Sequence, residues 1–119
     1  MEIQFNVDEF GRLMCELRDT DTHAIVTASD RHDAEQGLRN AVRSVQTTGN
    51  GECFWNEVSG QYRWVLRRFD ELMLRVAVLW CSGTVTGWEH TFWVETPLHS
   101  FCESVEAGLA ELTSPKSRP

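Results

Sequence analysis

The chain has no apolar run long enough to cross a membrane as a helix. Its best candidate, Leu72 to Cys81, is interrupted by Arg75 and is about half of the ~20 residues such a helix needs. Met1-Glu2-Ile3-Gln4-Phe5 offers neither the basic n-region nor the apolar h-region of a secretory signal, so the expected compartment is the cytoplasm. The four cysteines, Cys15, Cys53, Cys81 and Cys102, form no CxxC pair and each falls in an apolar periodic segment. They read as buried reduced thiols acting as small hydrophobes. His23 and His32 lack ligand partners at metal-binding spacing, and Ser100 and Ser104 sit in no nucleophile elbow. Gly49-Asn50-Gly51 follows a helical pattern instead of opening one, the wrong context for a phosphate loop. The expectation is a non-enzymatic protein without cofactor or metal.

What is present is the balance of a globular domain. Of 119 residues, 41% are apolar and 24% charged, and five Trp and six Phe supply large units of burial. A single α+β domain is expected over residues 1–113, with 114–119 a flexible tail. The net charge of −7 is unevenly spread. Residues 1–36 carry −6, residues 37–75 carry +2 and residues 76–119 carry −3. Overall acidity argues against nucleic acid as a partner, because that affinity comes from neutralising phosphates with many cations. No membrane association is expected either. The acidic N-terminal third would instead help orient a basic partner.

Ile3, Phe5 and Val7 alternate with polar residues, as do Leu13, Cys15 and Leu17, and His23 to Thr27 could add a third strand. Ala34, Leu38, Ala41, Val42 and Val45 then recur at helical spacing behind a Ser29 or Asp30 cap. Asp30, Asp33 and Glu35 place negative charge where the helix dipole favours it, and Thr48-Gly49-Asn50-Gly51 stops the helix. A closing helix is expected after a Thr96 cap and Pro97, with Leu98, Phe101, Cys102, Val105, Leu109 and Leu112 on one face.

Between the helices the pattern is that of strands. A tight turn at Ser59-Gly60 would set Trp55 opposite Trp64, Cys53 opposite Leu66 and Glu52 opposite Arg67. Parity then constrains the next connection, since a one-residue slip sends every side chain to the other face. A two-residue loop at Asp70-Glu71 would bury Arg63 and Arg67, so an odd-length loop, Phe69-Asp70-Glu71, is expected. On the last strand Trp88, His90, Phe92 and Val94 are expected inside, giving a core built on Trp55, Trp64, Trp80 and Trp88.

The same parity defines an opposite face bearing Phe54, Arg63, Arg67, Arg75 and Trp93. In the plainest reading the three Arg pair with Glu52, Glu89 and Glu95 on a solvated sheet. The composition also suits a partner surface, where Arg and aromatic residues concentrate, and an anion pocket is a third reading.

From about Ala34 to Leu112 the order of features resembles a family of small uncharacterised bacterial α+β domains. The features are an amphipathic helix, Trp55 before a tight turn, Arg63-Trp64, the apolar strand Leu72–Trp80, a strand led by Trp88 and a closing helix. Some such acidic domains look like immunity proteins, and the resemblance implies a fold more than an activity. The expected architecture is two-layer α+β, an antiparallel β-meander of about six strands with both helices on one face. The expected function is a protein-interaction domain, immunity-like or accessory, binding a protein partner through Phe54, Arg63, Arg67, Arg75 and Trp93. The alternatives are a small-ligand or enzymatic domain with a pocket near His90, Trp88 and Tyr62, and a homodimer through the open sheet face.

Overall fold

A computed structural model describes residues 1–83 and 87–113. The expected tail, residues 114–119, lies outside the described residues, as do residues 84–86, which include Thr84 of the turn Cys81-Ser82-Gly83-Thr84 expected before the last strand. Strands β1 (Glu2–Val7), β2 (Leu13–Arg18) and β3 (His23–Ala28) lead into helix α1 (Arg31–Thr48). Strands β4 (Asn50–Glu57), β5 (Gly60–Arg68), β6 (Met73–Ser82) and β7 (Glu89–Pro97) follow, and helix α2 (Leu98–Thr113) closes the chain. The fold is α+β and antiparallel, as expected. The strands number seven and form two sheets, β1-β2-β3 and β4-β5-β6-β7, in place of one six-stranded meander. The physical reason is α1, which separates β3 from β4 along the chain. Those strands form no ladder with each other among the described residues; Ser29 donates its N–H (2.9 Å) and its hydroxyl (3.0 Å) to the Asn56 carbonyl, and Thr27 donates its hydroxyl to the Glu57 carboxylate.

Helix α1 begins at Asp30, whose carboxylate accepts from the Asp33 N–H at 3.1 Å. It ends at Gly49, which adopts the left-handed conformation (φ 90°) and returns its N–H to the Val45 carbonyl at 3.0 Å. Its apolar stripe, Ala34, Leu38, Ala41, Val42 and Val45, is buried. The helix lies so close on β4 that a Cβ at Gly51 would stand 2.1 Å from the Ala41 carbonyl oxygen. Glu35 departs from expectation. It is buried, held by Arg31 (2.6 Å) and Arg39 (3.7 Å), while Arg31 also donates to the Leu112 carbonyl at 3.0 Å and so ties α1 to α2. At the other junction the strand outlasts the expected cap: Thr96 is buried within β7 opposite Leu74, and α2 starts one residue later.

One apolar core unites both helices with the inner faces of both sheets. Leu13, Cys15, Leu17 and Val26 contribute from the smaller sheet, and Phe101, Val105 and Leu109 from α2. Trp55 and Trp64 are fully buried with ring centroids 5.1 Å apart. Neither indole N–H has a partner among the described residues, which costs about 1–3 kcal/mol each. Removing roughly 150–250 Å² of ring from water contributes more, about 4–6 kcal/mol, so burial wins. Cys15, Cys53 and Cys102 are buried thiols, whereas Cys81 is only half-buried. Burial pushes the Cys53 thiol up to about 12 and raises Cys15 and Cys102 as well. Among the described residues, no helix is long and apolar enough to cross a membrane.

Candidate functional site

Both helices lie on the core side of the four-stranded sheet, and its opposite face carries no covering element among the described residues. Which side chains reach that face depends on three details of register. The β4–β5 turn is at Val58-Ser59, one residue before the expected Ser59-Gly60, with Glu57 opposite Gly60. The partners therefore move by two: Trp55 faces Tyr62, Cys53 faces Trp64 and Glu52 faces Val65. A shift of two keeps every side chain on its expected face. The β5–β6 connection is odd-length, as parity required, but centred on Asp70-Glu71-Leu72, with Phe69 donating its N–H to the Met73 carbonyl at 3.2 Å. Asp70 shapes that loop by accepting from the Leu72 and Met73 N–H groups at 2.8 and 2.9 Å.

The third detail overturns an expectation. Between Val78 and Leu79 the β6–β7 register slips, so that Val78 faces Phe92 but Leu79 faces His90, leaving Thr91 without a partner. Ahead of this bulge, parity reverses. Trp88 and His90, expected inside, are exposed on the outer face. The inner side at that end of the sheet is occupied by Tyr62 and Trp80, with ring centroids 4.6 Å apart. Trp80 is itself only half-buried. The buried tryptophans are thus Trp55 and Trp64, and Trp88 joins Trp93 outside.

The outer face consequently gathers two aromatic–arginine clusters. In the first, Trp88 packs on Phe54 (centroids 6.1 Å apart), and the Arg63 guanidinium lies 5.6 Å from the Trp88 ring centre and pairs with Glu52. In the second, Arg75 lies between Phe69 (4.7 Å) and Trp93 (5.8 Å) and pairs with Glu95 at 3.0 Å. Such stacking contributes about 0.5–1 kcal/mol per contact at exposed sites and fixes the orientation of the guanidinium. Val65 and Ala77, small and half-buried, lie between the clusters. Phe54, Phe69, Trp88 and Trp93 nonetheless remain 41%, 41%, 36% and 47% exposed.

Four of the five residues singled out from the sequence, Phe54, Arg63, Arg75 and Trp93, belong to these clusters. The fifth, Arg67, shares the face but stands apart. It faces Asn50 on β4 and Arg75 on β6, and has neither an ion pair nor a side-chain hydrogen bond among the described residues. The register shift took Glu52 from it, and Glu89 lies opposite Trp80 at the far end of the sheet. A recess of about 270 Å³ opens beside it, lined among others by Ser44 of α1, Asn50, Glu52, Arg63 and Val65. Trp88 and Phe69, which reasoning from alternation missed, are two of the four exposed rings in these clusters. The Phe69 signal is that it continues the alternation of Arg63, Val65 and Arg67, hidden by its place in the expected loop; for Trp88 only the bulge could have revealed it.

The expected pocket near His90, Trp88 and Tyr62 does not assemble, because Tyr62 points inward and the other two outward. Tyr62 instead lines a cavity of about 260 Å³ with Trp80, Arg12, Thr27 and Glu57. The Glu57 carboxylate there accepts from Thr27 and faces Arg12 at 3.6 Å, and burial raises the Tyr62 hydroxyl. Among the described residues, no three His, Cys, Asp or Glu side chains come together as metal ligands. Comparison with protein-family models, curated proteins and solved structures returns no match to the chain.

Proposed function

We propose that the protein is a non-enzymatic interaction domain of the cytoplasm, immunity-like or accessory in kind, which binds a partner protein through the outer face of its four-stranded sheet. The observation that carries this reading is the joint exposure of Phe54, Phe69, Trp88 and Trp93 around two stacked arginines on an uncovered sheet. A sheet face that serves only solvation needs no such aromatics, whereas contiguous aromatic–Arg surface is what interface centres are made of. Arg63 and Arg75 are already oriented in the free protein, so less side-chain entropy is lost when a partner covers them. The acidic three-stranded sheet, with Glu2, Glu16 and Asp19 on or beside it, would steer the approach of a partner with a basic flank.

The test is co-purification of a partner, followed by reconstitution of the pair from purified components with wild-type protein, Trp93→Ala and Arg75→Ala. Circular dichroism verifies that each variant is folded. The reading expects at least tenfold weaker binding for both variants; unchanged affinity in two folded variants would refute it.

A further inference from the structure

On the outer face, each carboxylate that could balance an arginine is committed. Arg63 has Glu52, and Arg75 has Glu95. Arg67 has none among the described residues, is exposed, and stands directly across from Arg75, a like-charge pairing that strands disfavour. Beside it lies the recess shared with Asn50, Ser44 and Arg63, roomy enough for a side chain. The Ser44 hydroxyl is spent on the Asn50 carbonyl at 2.6 Å, and the Asn50 side chain is opposite Arg67 across the ladder. The recess is also lined by the Glu52 carboxylate, which Arg63 already pairs, so the one uncompensated charge it presents is the Arg67 guanidinium, next to apolar surface at Val65.

Resting on the interaction reading above, we infer that the partner presents a short segment with a carboxylate side chain that lodges at Arg67, flanked by apolar side chains seated on Val65, Ala77 and Trp93. The carboxylate completes the missing ion pair and relieves the Arg67–Arg75 juxtaposition, and Arg67 can hold it through two parallel N–H donors. The segment is local and not part of a uniformly acidic protein, since the chain's own −7 charge would repel one.

The experiment titrates the full chain, labelled for NMR, with a nine-residue peptide carrying one Glu among Leu residues and two terminal Lys, and with its Gln counterpart. The Glu peptide is expected to shift the Trp93 indole N–H and to bind about tenfold or more tightly than the Gln peptide, the size of a charge-assisted hydrogen bond. Arg67→Gln is expected to erase that difference. In the absence of any peptide it is also expected to raise the melting temperature by about 1–3 °C, because it removes a like-charge neighbour. Equal affinity of the two peptides at Trp93 would overturn the carboxylate assignment and leave the interaction face standing. No shift of Trp93 with either peptide would overturn both. A lowered melting temperature of Arg67→Gln would assign Arg67 to folding and overturn the inference, as would a dimer in sedimentation that buries Trp93, which would make the occupant a second copy of the chain.

Discussion

Cys53, Trp55, Trp64, Leu66, Leu74, Val76 and Val78 on one face of the four-stranded sheet, and Phe54, Arg63, Val65, Arg67, Arg75, Ala77 and Trp93 on the other, alternate along the same three strands and the adjoining β7. Both faces are rich in aromatic rings, yet they solve different problems. Inside, Trp55 and Trp64 press on each other and on the helices, fully removed from water. Outside, Trp88 and Trp93 press on guanidinium groups that are themselves paired with carboxylates, which holds the rings in place without hiding them. The aromatic content of this chain is therefore not a single signal. Half-covered rings on ordered arginines are an arrangement that a partner can complete, whereas fully covered rings are already complete.

The contrast can be broken or sharpened by experiment, and the thiols give the widest range. Cys53, on the inner face, is pushed by burial to about 12, which lowers its thiolate fraction about a thousandfold against the ordinary value of 9.0. Native protein at pH 8 is expected to leave Cys53 unlabelled by a thiol reagent over a time in which urea-unfolded protein is labelled completely; mass spectrometry of the labelled peptides reads this. Comparable native labelling of Cys53 would mean that the inner face opens readily. Next in size, Trp64→Ala is expected to lower unfolding stability by about 3–5 kcal/mol in urea denaturation, because it empties a fully buried ring. Gly51→Ala comes third, at about 1–3 kcal/mol, since its Cβ would collide with the Ala41 carbonyl and lift α1 off β4. Trp93→Ala on the outer face is expected to change stability by less than about 1 kcal/mol while weakening partner binding at least tenfold. A cost near that of Trp64→Ala would erase the distinction between the faces.

The smallest effect lies away from both faces and serves as a control. In the β1–β2 turn the backbone N–H and guanidinium of Arg12, each 2.9 Å away, hold the Asp8 carboxyl below its ordinary 3.8. A depressed carboxyl contributes stability that is present above pH 3.8 and is lost as pH falls through the lower native value. Asp8→Asn is expected to lower the urea midpoint slightly above about pH 4 and to converge with the wild type as pH falls below that, in midpoints taken across pH.

Much of the fold was legible because its rules are periodic. The α1 stripe, its cap at Ser29 or Asp30 and its stop within Thr48-Gly49-Asn50-Gly51 follow from helical spacing and cap chemistry, with the structure choosing Asp30 and Gly49, and the faces of β4, β5 and β6 follow from parity. Both turns between those strands sit one residue from where composition placed them, and the faces survived because each error moved partners by two. The bulge at Thr91 was not legible. It inserts one residue into a strand whose alternation from Trp88 to Val94 is regular, so nothing in the pattern marks the break. It carried Trp88 and His90 outward, dissolved the expected ligand pocket and added an aromatic ring to the candidate interface. The division into two sheets was equally hidden, because strand patterns do not say which strands pair across an intervening helix. The isolation of Arg67 depended on the two-residue shift between β4 and β5, which gave Glu52 to Arg63, while Glu89 lies at the far end of the sheet in either register.

The central claim, that one face of the sheet is complete and the other open with Trp88 on it, is tested most directly by hydroxyl-radical footprinting of the free protein, resolved at each tryptophan. The account predicts rapid oxidation of Trp93 and Trp88, intermediate oxidation of Trp80, and near-complete protection of Trp55 and Trp64. Protection of Trp88 to the level of Trp55 would contradict it, for it would return Trp88 to the core and remove the aromatic cluster at Arg63 on which the open face depends.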